Sequence, residues 1–142
     1  MRVLILNGPN LNLLGTREPE IYGTLSLEEI NDLLTEYWFE QVTEGTLDFV
    51  QTNHEGVMVD TLQDATGNYD AVILNAAAYT HYSIALRDAI AAIDVPVVEV
   101  HLSDPDSRED FRRNNVIREV CAAHFAGDGA GSYKSALDHL LP

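Results

Sequence analysis

Short apolar runs rich in β-branched residues recur along this chain, and they limit the folds that it can adopt. They occupy residues 3–6, 47–50, 71–74 and 95–100, with a weaker run at 120–126. Each run is continuously apolar rather than alternating with polar residues, which is typical of strands in a parallel sheet that is covered on both faces. The sequence therefore predicts an α/β fold.

Helical patterns separate these runs. Ser26 and Glu29 have the spacing of a capping box and precede the first pattern. The apolar stripes fall at Leu27, Ile30, Leu34, Tyr37 and Trp38, then at Met58, Leu62 and Ala65, then at Leu86, Ala89, Ile90 and Ile93, and finally at Tyr133, Ala136, Leu137, Leu140 and Leu141. Right-handed crossovers favour a doubly wound sheet of five strands in the order 2-1-3-4-5.

Length and composition indicate one domain over residues 1–142, since 46% of the residues are hydrophobic. No run approaches the roughly 20 apolar residues of a membrane span, and the start leads directly into a strand. We therefore expect a cytoplasmic protein with no membrane partner. The single cysteine, Cys121, fits a reducing compartment, and its apolar neighbours predict a core thiol.

The formal net charge of −15 is spread along the chain, which indicates an acidic surface and makes nucleic acid an unfavourable partner. Lysine occurs once, at Lys134, whereas arginine occurs seven times. This bias fits adaptation to high salt or an arginine-favouring genome, and it bears on habitat rather than function.

Polar residues follow three of the predicted strands. The first strand runs into Asn7 and Asn10, the third into Asn75, and the fourth passes through Glu99 to His101. Ligands of doubly wound sheets bind beyond the carboxyl ends of the strands, at the point where the strand order reverses. Each residue alone also has a structural interpretation as a turn former or a buried polar group, but together they predict a site at this edge.

The loop over residues 14–23 is long and polar for a connection between a strand and a helix, as loops that cover active sites often are. It contains Arg17 and Tyr22. Tyrosine normally has a pKa of about 10, but a neighbouring guanidinium favours phenolate, so this pair has the composition of a general base. The alternative is a surface ion pair between Arg17 and Glu18, with Tyr22 as an apolar anchor.

Glu99 and His101 lie two residues apart on a strand, so both side chains point to one face. A carboxylate that orients an imidazole suits a general acid, although a buried structural pair has the same pattern. Leu102 and Ser103 follow and offer amides and a hydroxyl to a substrate carboxylate. His81 and Arg112 are further donors for substrate hydroxyls.

No metal or cofactor is predicted. His54 and Glu55 resemble the start of a zinc helix, but Met58 stands where the second histidine belongs. The segment 127–131 is rich in glycine but has neither the lysine of a phosphate loop nor dinucleotide spacing, so it predicts a turn. Schiff-base chemistry needs a buried lysine, and Lys134 falls in the terminal helix.

Five segments together resemble type II 3-dehydroquinate dehydratase: residues 7–23, 51–56, 75–81, 85–89 and 98–103, in order over nearly the whole chain. The resemblance implies dehydration of 3-dehydroquinate to 3-dehydroshikimate without metal or cofactor, in the shikimate pathway or in quinate breakdown. It implies Tyr22 as the base, with Arg17 lowering its pKa, and His101, oriented by Glu99, as the acid. It assigns enolate stabilisation through a bound water to Asn10.

The remaining implied roles concern binding and assembly. Asn75 would place the reacting region of a small anionic cyclic substrate, and the resemblance assigns its carboxylate to Leu102 and Ser103 and its hydroxyls to His81 and Arg112. It also implies a dodecamer of four trimers in which Asp88 reaches a neighbouring site. The chain departs from the usual pattern at 76–77, where Ala-Ala replaces a pair ending in glycine, and at 104–107, where Asn and His are usual.

A flavodoxin-like fold also carries non-enzymatic functions, so two alternatives stay open at this point. A phospho-accepting receiver domain needs acidic residues after the first strand and an aspartate ending the third, whereas this chain has Asn7 and Asn75. A flavin-binding electron carrier needs a phosphate loop rich in Ser and Thr after the first strand, and purified protein would then be yellow.

Overall fold

The computed structural model describes residues 1–16 and 18–142, with Tyr22 described by its backbone alone. The described part contains five strands: β1 (Arg2–Asn7), β2 (Thr46–Gln51), β3 (Ala71–Asn75), β4 (Val97–His101) and β5 (Ala123–Ala126). All pair in parallel, in the order β2-β1-β3-β4-β5. The predicted doubly wound sheet is confirmed.

The α-helices are α1 (Pro19–Tyr22), α2 (Leu27–Gln41), α3 (Glu55–Ala65), α4 (Ile84–Ala92) and α5 (Ala130–Leu140). Short 3₁₀ helices occupy Leu11–Leu13, Ala77–His81, Pro105–Ser107, Asp110–Arg113 and Arg118–Val120. The predicted capping box forms, since Ser26 accepts from the Glu29 amide and Glu29 accepts from the Ser26 amide. Among the described residues, no helix combines the length and apolarity needed to cross a bilayer.

Two apolar layers cover the sheet. On one face, Trp38 of α2 and Leu137 of α5 pack over Ile5, whereas on the other Met58 of α3 and Leu86 of α4 belong to the second layer. Alternate residues of β1 enter opposite layers because successive strand side chains point to opposite faces. Burial on both faces explains why the strands read as continuous apolar runs.

Several predicted boundaries shift. The run at 120–126 forms a strand only from Ala123, because Arg118–Val120 is a 3₁₀ helix, and the predicted turn at 127–131 is shorter because α5 begins at Ala130. Cys121 is only partly buried, packed against the edge of the second layer rather than inside the core. Burial nevertheless raises the pKa of its thiol to about 12.

The carboxyl ends of β1 and β3 are drawn together at Gly8. The Gly8 amide donates to the Asn75 carbonyl over 2.8 Å, and a β-carbon at Gly8 would lie 2.8 Å from the Ala76 carbonyl oxygen. Only glycine allows this approach, which brings the turn after β1 against the loop after β3. The register pairs Asn7 with Asn75, so both polar strand ends lie side by side.

Candidate active site

A pocket opens beyond the carboxyl ends of β1, β3 and β4, where the sequence places the candidate residues. The described residues that line it include seven of those predicted: Asn10, Asn75, His81, His101, Leu102, Ser103 and Arg112. Pro9, Leu11, Ala77, Ala78, Pro105 and Arg108 complete the lining. The three loops therefore meet at one site, as the strand order requires.

Glu99 and His101 form a buried pair at the end of β4. The His101 Nε2–H donates to Glu99 Oε2 over 2.5 Å, and the Glu99 residue is 0% exposed. Burial alone would raise the pKa of Glu99. Hydrogen bonds from His101 and Asn115 and the charges of His101 and Arg118 outweigh it, so the pKa lies below its ordinary value. An ionised carboxylate therefore orients the imidazole at the pocket wall.

The side-chain amide of Asn75 is fixed by two neighbours, Tyr133 and Ala77. Its Nδ2 donates to the Tyr133 hydroxyl over 2.9 Å, and that hydroxyl donates to Asn7 Oδ1 over 2.6 Å. The Ala77 amide donates to Asn75 Oδ1 over 3.1 Å. Nδ2 carries two hydrogens, so the second remains for a ligand in the pocket.

Ala77 has φ of 51°, a left-handed conformation in which glycine carries no steric penalty. This is one of the two positions where the sequence departs from the pattern that it resembles. At the other, Asp104 caps the 3₁₀ helix Pro105–Ser107 by accepting from the Asp106 amide, and Pro105 lines the pocket. The departures therefore alter the backbone around the pocket.

Asn10 also adopts a left-handed conformation, with φ of 68°, which asparagine tolerates better than most residues. Its backbone amide donates to Asn53 Oδ1 over 3.0 Å, so the loop after β2 holds it at the pocket. Across the pocket, His81 Nδ1–H donates to the Asn114 carbonyl over 2.8 Å. Burial lowers the pKa of His81, and the charge of Arg112 lowers it further.

Arg108 is a pocket residue that the sequence interpretation missed. Its Nη1 donates to the Ser103 hydroxyl over 3.4 Å, and Arg112, four residues later, lines the same pocket. The signal was available, because both arginines follow Ser103 in one loop of a chain with few basic residues. Two guanidinium groups therefore line the pocket of this acidic protein, and both are charged donors of the kind that bind an anionic ligand.

One remaining candidate, Asp88, does not line the described pocket. Asp88 is exposed on α4. Arg17 and the side chain of Tyr22 lie outside the described residues. Asn115, Arg118 and Tyr133 contact the site residues and were also missed, because their contacts cross long sequence separations.

The strand order and the carboxylate–imidazole pair at this pocket are those of a flavodoxin-like α/β enzyme. Strands β1 and β3 end in amides bonded to a tyrosine, rather than in the acidic residues that a receiver domain needs.

Comparisons with known proteins give the family. The sequence model described as Dehydroquinase class II matches residues 1–141. A 3-dehydroquinate dehydratase of Pelodictyon phaeoclathratiforme is 52% identical over 99% of this chain and 92% of its own, and one of Bacillus licheniformis is 48% identical over 98% and 94%. The crystal structure of type II dehydroquinase from Butyrivibrio crossotus aligns with a TM-score of 0.93 at 40% identity, covering 99% and 97% of the two chains. This chain belongs to the class II dehydroquinase family, whose members are hydro-lyases.

Proposed function

We propose that this chain dehydrates 3-dehydroquinate to 3-dehydroshikimate by an anti elimination through an enolate, with Tyr22 as base and His101 as acid. The observation that carries the proposal is the buried Glu99–His101 pair at the wall of a pocket that two arginines also line. The product then enters aromatic biosynthesis, or arises during quinate breakdown. Its substrate is a small cyclic anion, and the reaction needs no cofactor.

The steps balance in protons and electrons. The C2–H bond breaks, its proton passes to the Tyr22 phenolate, and its electron pair forms the enolate of the C3 ketone. Collapse of the enolate forms the C1–C2 double bond and expels the C1 hydroxyl, which takes a proton from His101 and leaves as water. A proton next to a ketone is within reach of a tuned phenolate, whereas hydroxide leaves only with acid assistance.

The geometry of His101 supports the acid side of this scheme. Its Nε2–H is committed to Glu99, so Nδ1 is the ring nitrogen available to the substrate. The Glu99 carboxylate also stabilises the imidazolium that must donate the proton. Asn75, with its remaining N–H, would position the leaving hydroxyl.

The base side rests on the loop that carries Arg17 and Tyr22. Glu20, Ile21 and Gly23, which flank Tyr22, line a cleft together with Leu102 and Ser103. Leu102 and Ser103 follow β4 and also line the pocket. The loop therefore lies next to the pocket, which supports a base from this loop. We assign to Arg17 the lowering of the Tyr22 pKa, and to Asn10 the binding of a water that stabilises the enolate.

The position of the other predicted residues in the pocket supports their proposed binding roles. We assign the substrate carboxylate to Leu102 and Ser103, with Arg108 contributing charge beside the Ser103 hydroxyl. His81 and Arg112 would hold ring hydroxyls. The Arg112 guanidinium is itself held by Glu109 and lies 5.2 Å from the centre of the Phe111 ring.

The direct experiment follows the ultraviolet absorbance of the conjugated enone formed from 3-dehydroquinate. Tyr22→Phe should lose about 10²–10⁴-fold in kcat, the usual contribution of a general base, and Arg17→Ala should lose much of it. Tyr69→Phe is the matched control, because its hydroxyl bonds Asp48 outside the pocket lining. A wild-type protein that forms no enone would refute the proposed function. A Tyr22→Phe variant that keeps its activity would show that another residue is the base.

We further propose assembly as a dodecamer of four trimers, with Asp88 reaching a neighbouring pocket. Supporting it, Tyr82, Ile84 and Phe111 are exposed by 62%, 55% and 64%, which leaves apolar side chains exposed in the segments that follow β3 and β4. Native mass spectrometry should give a twelve-chain mass, and Asp88→Ala should weaken assembly or raise KM. An unchanged twelve-chain mass together with an unchanged KM in that variant would dismiss the contact.

A further inference from the structure

The Glu99 carboxylate has two partners besides His101, and neither lies on its own strand. Asn115 Nδ2 donates to Oε2 over 2.6 Å, and Arg118 Nε donates to Oε1 over 3.4 Å. Both carboxylate oxygens are thus held, and three donors converge on one buried group. A carboxylate held from two sides cannot rotate freely about its terminal torsion, so the direction of its bond to His101 is fixed.

Asn115 is itself fixed by the turn that it begins. Its Oδ1 accepts from the backbone amides of Ile117 over 3.0 Å and Arg118 over 2.9 Å. These bonds assign the amide orientation, since only the oxygen can accept, and they turn Nδ2 toward Glu99. The same side chain therefore shapes the segment that delivers Arg118 and holds the carboxylate.

The segment 114–118 is also tied to the far wall of the pocket. The Val116 amide donates to the Thr80 carbonyl over 3.0 Å, and Arg87 Nη1 donates to the Val116 carbonyl over 2.8 Å. Asn114 Nδ2 donates to the His81 carbonyl over 2.8 Å. The donors to Glu99 therefore sit on a segment braced against the 3₁₀ helix that carries His81 and against α4.

The charges around the Glu99–His101 pair explain what Arg118 contributes to it. The Glu99 residue is 0% exposed, whereas the Arg118 side chain is 35% exposed, so the cation reaches inward from the surface. His81, Arg108 and Arg112 lie on the pocket side, and the neutral thiol of Cys121 is the other titratable neighbour of Glu99. An ionised carboxylate inside protein needs such partners.

We propose that Asn115 and Arg118 are positioning residues for the elimination: they hold the Glu99 carboxylate ionised and oriented, so that it presents Nδ1 of His101 to the leaving hydroxyl. This assignment rests on the proposed function. Neither residue touches the substrate in this scheme, so both act on kcat through His101 and leave KM nearly unchanged.

The variants separate positioning from folding. Asn115→Asp keeps an oxygen that accepts from the backbone amides of Ile117 and Arg118. It replaces the Nδ2 donor with a second carboxylate oxygen, so the hydrogen bond to Glu99 is lost. Arg118→Gln keeps a polar side chain without charge, and Arg118→Lys restores the charge. Arg2→Gln is the control, since it also removes an arginine bonded to a carboxylate, Asp70, at the opposite end of the sheet.

We expect Asn115→Asp and Arg118→Gln each to lower kcat by about tenfold with KM unchanged, the scale seen when a supporting hydrogen bond to a functional group is lost. Arg118→Lys should recover most of kcat, and Arg2→Gln should match wild type. In a His101→Ala background, Arg118→Gln should cause no further loss of kcat. The assignment would be overturned if Arg118→Gln lowered kcat further in the His101→Ala background. It would also be overturned if Asn115→Asp and Arg118→Gln both left kcat unchanged.

Proton NMR of the His101 Nε2–H resonance tests the geometry without turnover. We expect a downfield signal in wild type and Arg2→Gln, shifted or lost in Asn115→Asp and Arg118→Gln. If wild type shows the signal but does not dehydrate 3-dehydroquinate, the proposed function fails while the positioning is still tested. An identical resonance in all four proteins would refute the positioning.

Discussion

Two buried polar networks lie at the carboxyl edge of the sheet, one neutral and one charged. In the neutral network, the Tyr133 hydroxyl joins the amides of Asn75 and Asn7 where β3 and β1 end. In the charged network, the Glu99 carboxylate gathers His101 with donors from the segment after β4. Burial raises the pKa of Tyr133, so the neutral network binds and releases no proton in the physiological range.

The two networks differ in whether they can only hold a side chain in place or can also support proton transfer. A network of amides and a phenol fixes the angle of one side chain at any physiological pH, because none of its members changes charge there. A carboxylate and an imidazole fix an angle too, but under the proposed mechanism they also stabilise a charge that appears during the reaction. We therefore expect damage to the charged network to appear in kcat and in a stability that depends on pH, and damage to the neutral network to appear only in a stability that does not.

The largest effect should come from His101→Ala. Loss of a general acid lowers kcat by about 10²–10⁴-fold, while the strand that carries it stays folded. Initial rates of enone formation and far-ultraviolet circular dichroism test the two parts. Turnover of His101→Ala near the wild-type level would show that the charged network does not transfer a proton. The two networks would then not differ in function.

Glu99→Gln should have the next largest effect, on stability. Removing one partner of a buried charge pair costs about 3–5 kcal/mol in the free energy of unfolding at neutral pH, measured with urea at fixed protein concentration. The pKa of Glu99 is lowered on folding, so its contribution is present above the unfolded pKa of about 4.3 and is lost as the pH falls through the folded value.

The difference between wild type and Glu99→Gln should therefore shrink toward the lowest pH at which both remain folded. A difference that stays constant across that range would show that the carboxylate contributes through shape alone.

Tyr133→Phe should have a smaller effect, confined to stability. The change leaves the Asn7 and Asn75 amides without their shared partner, which costs about 1–3 kcal/mol. This cost should be the same at pH 5 and pH 8, because no charge is involved. Tyr37→Phe is the matched control: its hydroxyl bonds the exposed Asp138, so the change should stay within about 0.5 kcal/mol. A cost that varied with pH would contradict the neutral assignment.

The smallest effect should come from Ala77→Gly, which relieves the left-handed strain beside Asn75. We expect a gain of about 1 kcal/mol in the free energy of unfolding. Ala78→Gly is the control, because Ala78 has no positive φ and should lose about 0.5–1 kcal/mol. Loss of stability in both variants would show that the loop after β3 is not strained.

The fold and much of the pocket were open to prediction from sequence because their signals are local. Apolar runs, helical stripes and the Ser26 capping box each depend on neighbouring residues, and parallel strands bring their carboxyl ends to one edge whatever the loops contain. Seven predicted site residues meet there for this reason. The boundary of β5 was wrong because a 3₁₀ helix replaces the start of its apolar run.

What only the tertiary structure decided is which distant side chains support these residues. Tyr133 reaches Asn7 across 126 positions, and Arg118 reaches Glu99 across 19. Nothing in the local sequence marks such pairs, because a hydrogen bond between elements depends on how they pack rather than on spacing along the chain. The sequence by itself therefore determined the strands, their order and the types of residue at their ends. The tertiary packing determined which partners fix the orientation and charge of each site residue.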